Sequence, residues 1–119
     1  MKLFYSAPVL CAALLSSSPA FAGKQDFTLV NRTGYEISEV YVSPAKADNW
    51  EEDVMGDRVL EDQTSVPISF EGGKGCVYDL KVVFSDGDDA HWTNFDLCTI
   101  SKIQIFWNAK TQKATAKWE

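Results

Sequence analysis

From residue 25 onward, short runs of alternating apolar and polar residues follow one another, separated by turn-forming sequences. The clearest run is Cys76 to Phe84, in which every second side chain is either a large apolar group or the cysteine. Alternation with a period of two is typical of a strand that buries one face. No stretch after residue 24 keeps the spacing of an amphipathic helix, so the pattern indicates an all-β domain.

The predicted strands span residues 25–31, 35–43, 65–70, 76–84, 90–95, 100–107 and 114–118. The apolar phase slips between Ile37 and Val40, which predicts a β-bulge. Pro67 faces away from the apolar side of its run and so predicts an edge strand, and Asp86-Gly87 predicts a two-residue hairpin turn. About seven short strands indicate a small antiparallel β-sandwich, with a small closed β-barrel as the alternative.

Two features describe the interior and the surface of this sandwich. The bulky phased residues are predicted to form the core: Phe27, Leu29, Ile37, Val40, Val42, Leu80, Val82, Ile103 and Ile105. Residues 45–64 interrupt the strand pattern and are predicted to cross an end of the sandwich, with one helical turn starting at Asp48. Long connections of this kind often carry function.

The first 22 residues have the layout of a secretory signal peptide. Lys2 is followed by an apolar run from Leu3 to Leu15 and by the small-x-small ending of residues 20–22. The run is shorter than the roughly 20 residues that span a bilayer. We expect cleavage after Ala22, no membrane span, and a single domain at 23–119 in the periplasm or outside the cell.

The cysteines support the same view. Cys11 would leave with the signal peptide, and Cys76 and Cys98 would remain in a compartment where disulfides form. Their pairing would stabilise the fold by about 3 kcal/mol. A zinc site is the alternative, but two cysteines and one distant histidine lack its ligand number.

The chain is acidic, with 17 Asp and Glu against 11 Lys and Arg. This balance argues against nucleic acid and anionic membranes as partners. Two groups of carboxylates on loops have the oxygen ligands that Ca²⁺ prefers, and they are Asp86, Asp88 and Asp89 in one turn and Asp53 and Asp57 in the long connection. A protein or glycan partner is the other interpretation, with Trp50 and Trp92 as the candidate ligand surface; no further cofactor is predicted.

An enzymatic function is not expected. His91 is the sole histidine, and a nucleophilic mechanism would need a Ser or Cys beside it and an orienting group behind it. Cys98 is assigned to the disulfide, and no serine has the sequence context of a nucleophile elbow.

The residues also resemble a family of small exported bacterial proteins of unknown function, over residues 26 to 105. The shared motifs are Phe27-x-Leu29-Val30-Asn31-x-Thr33-Gly34, Ile37-Ser38-Glu39-Val40-Tyr41-Val42-Ser43-Pro44, Trp50-x-x-Asp53-Val54-Met55-Gly56, Cys76-Val77-Tyr78-Asp79-Leu80, Phe84-x-Asp86-Gly87 and Asp96-Leu97-Cys98-x-Ile100. Some members carry an automatically assigned argininosuccinate lyase label. That activity is not carried over, because such a lyase is a much larger, helical, oligomeric enzyme.

The sequence therefore predicts an exported, non-enzymatic binding or interaction module. Two alternatives remain open at this point. One is a Ca²⁺-binding module at the acidic loops, and the other is an acidic inhibitor of a cationic hydrolase, to which complementary charge would speed its binding.

Overall fold

The computed structural model of the chain describes residues 25–45, 47, 50–69 and 75–119. The predicted signal peptide with its cleavage after Ala22, Cys11, the helical turn at Asp48 and the end of the third predicted strand at Phe70 lie outside the described residues. Within the described residues, no helix is both long and apolar enough to cross a membrane.

Seven strands form two sheets. The strands are β1 (Phe27–Arg32), β2 (Ile37–Pro44), β3 (Thr64–Ile68), β4 (Val77–Phe84), β5 (Asp89–Asp96), β6 (Lys102–Asn108) and β7 (Lys113–Trp118). Sheet A has the order β3-β1-β6-β7, and sheet B has the order β2-β4-β5. No pairing between the named strands joins the two sheets, so the predicted β-sandwich is confirmed and the closed barrel is not formed in the described part of the chain.

One strand pairing in sheet A departs from the antiparallel pattern predicted for the sandwich. Strand β1 pairs with β6 in parallel, with Leu29 opposite Ile103 and Asn31 opposite Ile105, whereas the other four strand pairings are antiparallel. Parallel neighbours need a long crossover connection. Here the crossover contains all three strands of sheet B and also β3 of sheet A.

The predicted core is confirmed, since all nine of its residues are buried. Met55 and Leu60 from the long connection are also buried. The connection runs along the free edge of β2 instead of crossing an end of the sandwich. The Val54 N–H donates to the carbonyl of Val40 at 2.8 Å, and Leu60 pairs with Ile37. This edge of sheet B is therefore covered, which protects it from pairing with another chain.

A buried asparagine joins the corner between β1 and β2 to the end of that connection. Asn31 is 0% exposed. Its Nδ2 donates to the carbonyls of Tyr35 (2.7 Å) and Leu60 (2.9 Å). Its Oδ1 accepts from the N–H (3.1 Å) and the hydroxyl (2.7 Å) of Thr33. Each polar atom of this buried carboxamide is thus paired, as burial of an amide requires.

Three local predictions can be compared with the strands. The β2 bulge is confirmed by a register shift after Ile37, and β3 is an edge strand in which Pro67 is exposed. The β4–β5 turn is longer than predicted. The backbone carbonyl of Asp88 accepts from the N–H of Phe84 at 2.8 Å, and Gly87 has φ +98°. Three residues therefore separate the closing pair, and the glycine takes the left-handed position.

The predicted disulfide is confirmed. Cys76 lies directly before β4 and Cys98 two residues after β5, with a Cα–Cα distance of 5.2 Å. The Leu97 N–H also donates to the carbonyl of Cys76 at 2.8 Å. The open end of the β4–β5 hairpin is therefore held by both a covalent bond and a backbone hydrogen bond.

Candidate functional site

A groove opens between the two sheets where the edge strand β5 of sheet B faces the edge strand β7 of sheet A. We call it the edge groove, and its volume is about 710 Å³. It is lined by His91, Trp92, Thr93, Asn94, Phe95, Asp96, Thr99, Ile100, Trp118 and Glu119. This volume lies within the range of cavities that hold small ligands.

The floor of the edge groove is aromatic. Phe95 is buried in the core, and Trp92 is half-buried against it. Trp118 from β7 is 55% exposed, and its ring meets Phe95 edge-on, with 5.1 Å between the ring centroids. The exposed indole is thus held in a fixed orientation by a buried neighbour, and it presents a flat apolar surface to solvent.

A β-bulge in β5 gives the edge groove its shape. Asn94 has φ 63°, and its N–H donates to Oδ1 of Asp79 at 3.0 Å, where the β4–β5 register shifts. Asparagine tolerates this left-handed conformation better than most residues. Because the bulge inserts one residue, Phe95 points into the core while Asn94 is exposed at the rim. The change of apolar spacing from Trp92 to Phe95 was a signal for this bulge in the sequence.

The turn after β5 forms the end wall. The carbonyl of Asp96 accepts from the N–H groups of Thr99 and Ile100, both at 3.1 Å, and its Oδ1 accepts from the Cys98 N–H at 3.1 Å. The disulfide at Cys98 is part of the same turn. The wall is therefore fixed before any ligand arrives, which reduces the entropy lost on binding.

The rim of the edge groove is polar and acidic. Asp96 and Glu119 supply carboxylates, Asn94 a carboxamide, and Thr93 and Thr99 hydroxyls. No Lys or Arg from the described residues lines it. The rim therefore favours a neutral or cationic ligand that can donate hydrogen bonds.

Trp50, the other predicted ligand residue, lies in a smaller cavity on the outer face of sheet B. This cavity has a volume of about 230 Å³. The Lys81 ammonium lies 6.0 Å from the centroid of the Trp50 ring and 5.6 Å from that of Tyr41. Trp50 therefore already has a cationic partner within the chain, as expected for a cation–π contact that holds a loop on a sheet. His91 lines both cavities, so Trp50 and Trp92 lie on either side of it.

A tyrosine beside this cavity has a raised pKa. The Tyr41 hydroxyl donates a short hydrogen bond to Oε1 of Glu39. This hydrogen bond, together with partial burial and the negative charges of Glu39 and Asp53, raises the pKa of Tyr41 to about 12. The pair lies on the exposed face of β2 and ties neighbouring side chains of that strand together.

His91 is exposed on β5, and its ring meets Trp50 with 6.4 Å between the centroids. No Ser or Cys side chain in the described residues hydrogen-bonds to it. In the described part of the chain, the arrangement of nucleophile, base and orienting group that a hydrolytic site needs is not assembled around this histidine.

Two of the acidic residues proposed for Ca²⁺ accept hydrogen bonds from the backbone around them. Asp53 Oδ1 accepts from the N–H groups of Val40 and Met55, both at 2.9 Å. Asp86 Oδ1 accepts from the N–H of Asp88 at 3.0 Å, which closes the hairpin turn. These bonds give each carboxylate a structural role in its own segment.

The two acidic segments do not meet. Asp53 pairs with Tyr41 in the middle of β2, whereas Asp86 lies beyond the end of β4. Asp57 and Asp89 are exposed. Among the described residues, the one group of three metal-ligating side chains is Cys76, Asp96 and Cys98, and its cysteines form the disulfide.

Comparisons with known proteins give a fold and no activity. No protein-family model matches the chain, and no curated protein matches it. A protein from Eubacterium rectale, whose structure was determined by NMR, is similar in fold: the TM-score is 0.51 and the sequence identity 15%, over 84% of this chain and 94% of that one. At this identity the similarity concerns the backbone architecture alone.

Proposed function

We propose that this protein is an exported, non-enzymatic binding module that holds a saccharide segment in the edge groove. One observation carries the proposal: a rigid concave site combines the exposed indole of Trp118 with a rim of carboxylate, carboxamide and hydroxyl groups. Sugar rings offer C–H groups that pack on an indole and hydroxyls that donate to such acceptors. An apolar floor surrounded by a small number of precisely placed polar groups is typical of small-ligand sites.

The shape of the site favours a saccharide over a whole protein surface. A stable protein–protein contact buries about 800 Å² on each partner and is mostly flat. The edge groove is concave, and its aromatic floor lies between β5 and β7, the facing edge strands of the two sheets. A peptide added as a strand to β5 is disfavoured as well, because the bulge at Asn94 interrupts the edge that such a peptide would pair with.

Export and the family resemblance are part of the same proposal. The Cys76–Cys98 disulfide supports an oxidising compartment, in line with the predicted signal peptide. A domain of this size is compatible with the family of small exported proteins that the sequence motifs resemble. The proposal that the module is non-enzymatic is supported by the surroundings of His91, whose ring contacts Trp50.

The proposal is tested by calorimetric titration of the mature, oxidised protein with a panel of neutral and amino-sugar oligosaccharides. Replacing Trp118 by Ala should weaken binding of the best ligand by about tenfold or more, since one central aromatic contact carries that much. Trp50→Ala is the matched control. It removes an indole from the other cavity and should change the affinity by less than about twofold.

Two results would overturn the proposal. One is the absence of binding by every oligosaccharide at millimolar concentration. The other is a ligand whose affinity falls with Trp50→Ala and not with Trp118→Ala, which would move the site to the smaller cavity. Circular dichroism of both variants establishes that each has kept the fold.

A further inference from the structure

The charges of this acidic protein are separated between its two sheets. The strands of sheet A contain no Asp or Glu and four cations, which are Arg32, Lys102, Lys113 and Lys117. The strands of sheet B contain one lysine and four carboxylates, which are Glu39, Asp79, Asp89 and Asp96. The strands of sheet A thus carry positive charge alone, within a chain whose net charge is −6.

The four cations of sheet A share its outer face. On β6, Ile103 and Ile105 are buried, so Lys102 and its alternate neighbours point outward. Lys117 pairs with Gln104, and Lys113 pairs with Asn108, on that same side. We call the outer surface formed by Arg32, Lys102, Lys113 and Lys117 the cationic face.

These cations are not neutralised inside the protein. Arg32 donates to the side-chain carbonyls of Gln104 (2.8 Å) and Gln63 (3.3 Å), both of which are uncharged. The Lys117 ammonium lies 5.3 Å from the centre of the Phe106 ring. None of the four forms an ion pair with any residue in the part of the chain that the structure describes.

Protection of a sheet edge explains only half of this arrangement. Lysines on an exposed edge strand discourage pairing with other chains, and β7, which carries Lys113 and Lys117, is such a strand. Arg32 and Lys102 are on β1 and β6, which are the two central strands of the sheet. Their positions call for a different explanation.

We propose that the cationic face binds a linear acidic polysaccharide. Thr28 pairs with Lys102 and Arg32 with Phe106, so these two cations are about 13 Å apart along neighbouring strands, at roughly 3.3 Å per residue. Lys113 and Lys117 are separated similarly along β7. The cations are thus spread over the outer face of sheet A, where an extended polyanion can contact several of them.

The surrounding groups select among polyanions. Gln104 and Thr115 lie between the cations and offer hydrogen bonds to hydroxyls or carboxylates. The aromatic group of this face, Phe106, is half-buried and covered by Lys117, so it offers little surface for stacking of nucleic-acid bases. A single polysaccharide chain contacts the cationic face alone. The acidic residues of sheet B are about 10 Å further away, which exceeds the screening length of about 8 Å at physiological salt, so their repulsion of the polysaccharide is weak.

The test uses a heparin oligosaccharide as the probe, with neutral dextran as the uncharged comparison, at several NaCl concentrations. We expect binding to heparin and not to dextran, weakening steadily as salt rises. The double variant Lys102→Gln, Lys113→Gln should lower the affinity for heparin roughly fourfold to twenty-fivefold, given about twofold to fivefold for each surface cation. Neither lysine has a side-chain partner among the described residues, so the fold should be unaffected.

The matched control is Arg58→Gln, Lys81→Gln, which removes the same charge from residues outside sheet A and should change the affinity by less than about twofold. Equal weakening by both double variants would overturn the proposal, as would tighter binding to phosphatidylglycerol vesicles or to a thymidine oligonucleotide than to heparin. Trp118→Ala should leave heparin binding intact. The cationic face and the edge groove therefore succeed or fail separately.

Discussion

Replacement of Asn31 by alanine should be among the most destabilising single changes in this domain. The side chain is completely buried and joins three segments: strand β1, the corner before β2, and the end of the long connection. Alanine removes both donors that serve the carbonyls of Tyr35 and Leu60. It also removes the acceptor for the N–H and hydroxyl of Thr33.

The size of the effect follows from these four hydrogen bonds. Each contributes about 1 kcal/mol net, and the buried N–H of Thr33, left without its acceptor, adds a desolvation penalty of its own. We expect Asn31→Ala to lower the free energy of unfolding by about 3–5 kcal/mol. Since a domain of this size is stable by about 5–10 kcal/mol in all, roughly half of that stability would be lost.

Asn31→Asp separates the hydrogen-bonding role from the shape of the side chain. Aspartate keeps an acceptor for Thr33 but presents a second oxygen to the two carbonyls. The buried site therefore raises the pKa of the new carboxyl above its unfolded value of about 3.9. Because the folded state then binds the proton more tightly, this variant should regain stability as the pH falls through the raised pKa toward 4.

Urea unfolding, followed by circular dichroism with the disulfide intact, measures both effects. Asn108→Ala is the control, since its exposed side chain caps the β6–β7 turn through the Lys110 N–H at 2.9 Å and should cost about 1 kcal/mol or less. A loss of stability in Asn31→Ala no larger than that of the control would refute the role assigned to these hydrogen bonds. The same pH profile of stability for Asn31→Asp as for the unaltered protein would refute the raised pKa.

Three further outcomes are expected. Reduction of the Cys76–Cys98 disulfide should lower the free energy of unfolding by about 3 kcal/mol, measured by urea unfolding with and without reductant. An unchanged free energy of unfolding would contradict the stabilising role assigned to the disulfide. Absorbance titration should show Tyr41 ionising near pH 12, and since this pKa is raised, its stabilising contribution should be present below pH 10 and lost between pH 10 and 12. In Glu39→Gln the Tyr41 pKa should fall toward 10, and an unchanged titration would refute the assigned cause. Gly87→Ala, at φ +98°, should lower the unfolding free energy by about 1 kcal/mol, whereas an equal or higher melting temperature would exclude strain at that turn.

The strands were largely predictable because their signals are local. Alternating residues identified both faces of β4, and the phase slip after Ile37 located the bulge in β2. The parallel contact of β1 with β6 could not be predicted in this way. Their register depends on which distant apolar faces meet in the assembled sandwich. No local turn connects the two strands, so no short sequence signal indicates that they pair.

The candidate sites were less predictable for the same reason. Trp92 was singled out as a ligand residue, but Trp118 was assigned only to a strand, and the two share a groove because β5 and β7 are the facing edges of different sheets. The cationic face was hidden by the acidic composition of the whole chain. Counting charges gives their sum, whereas their separation depends on the strand order.

The parallel pair also bears on when this chain can fold. Strand β1, made first, cannot complete its sheet until β6 has been synthesised, because Leu29 must pair with Ile103 across more than seventy residues. Folds dominated by such distant pairings form slowly. A chain that stays unfolded until nearly all of it has left the ribosome remains available to a secretion channel that passes extended polypeptides. The strand order thus delays completion of sheet A until nearly the whole chain has been synthesised, a delay that would suit the export proposed above.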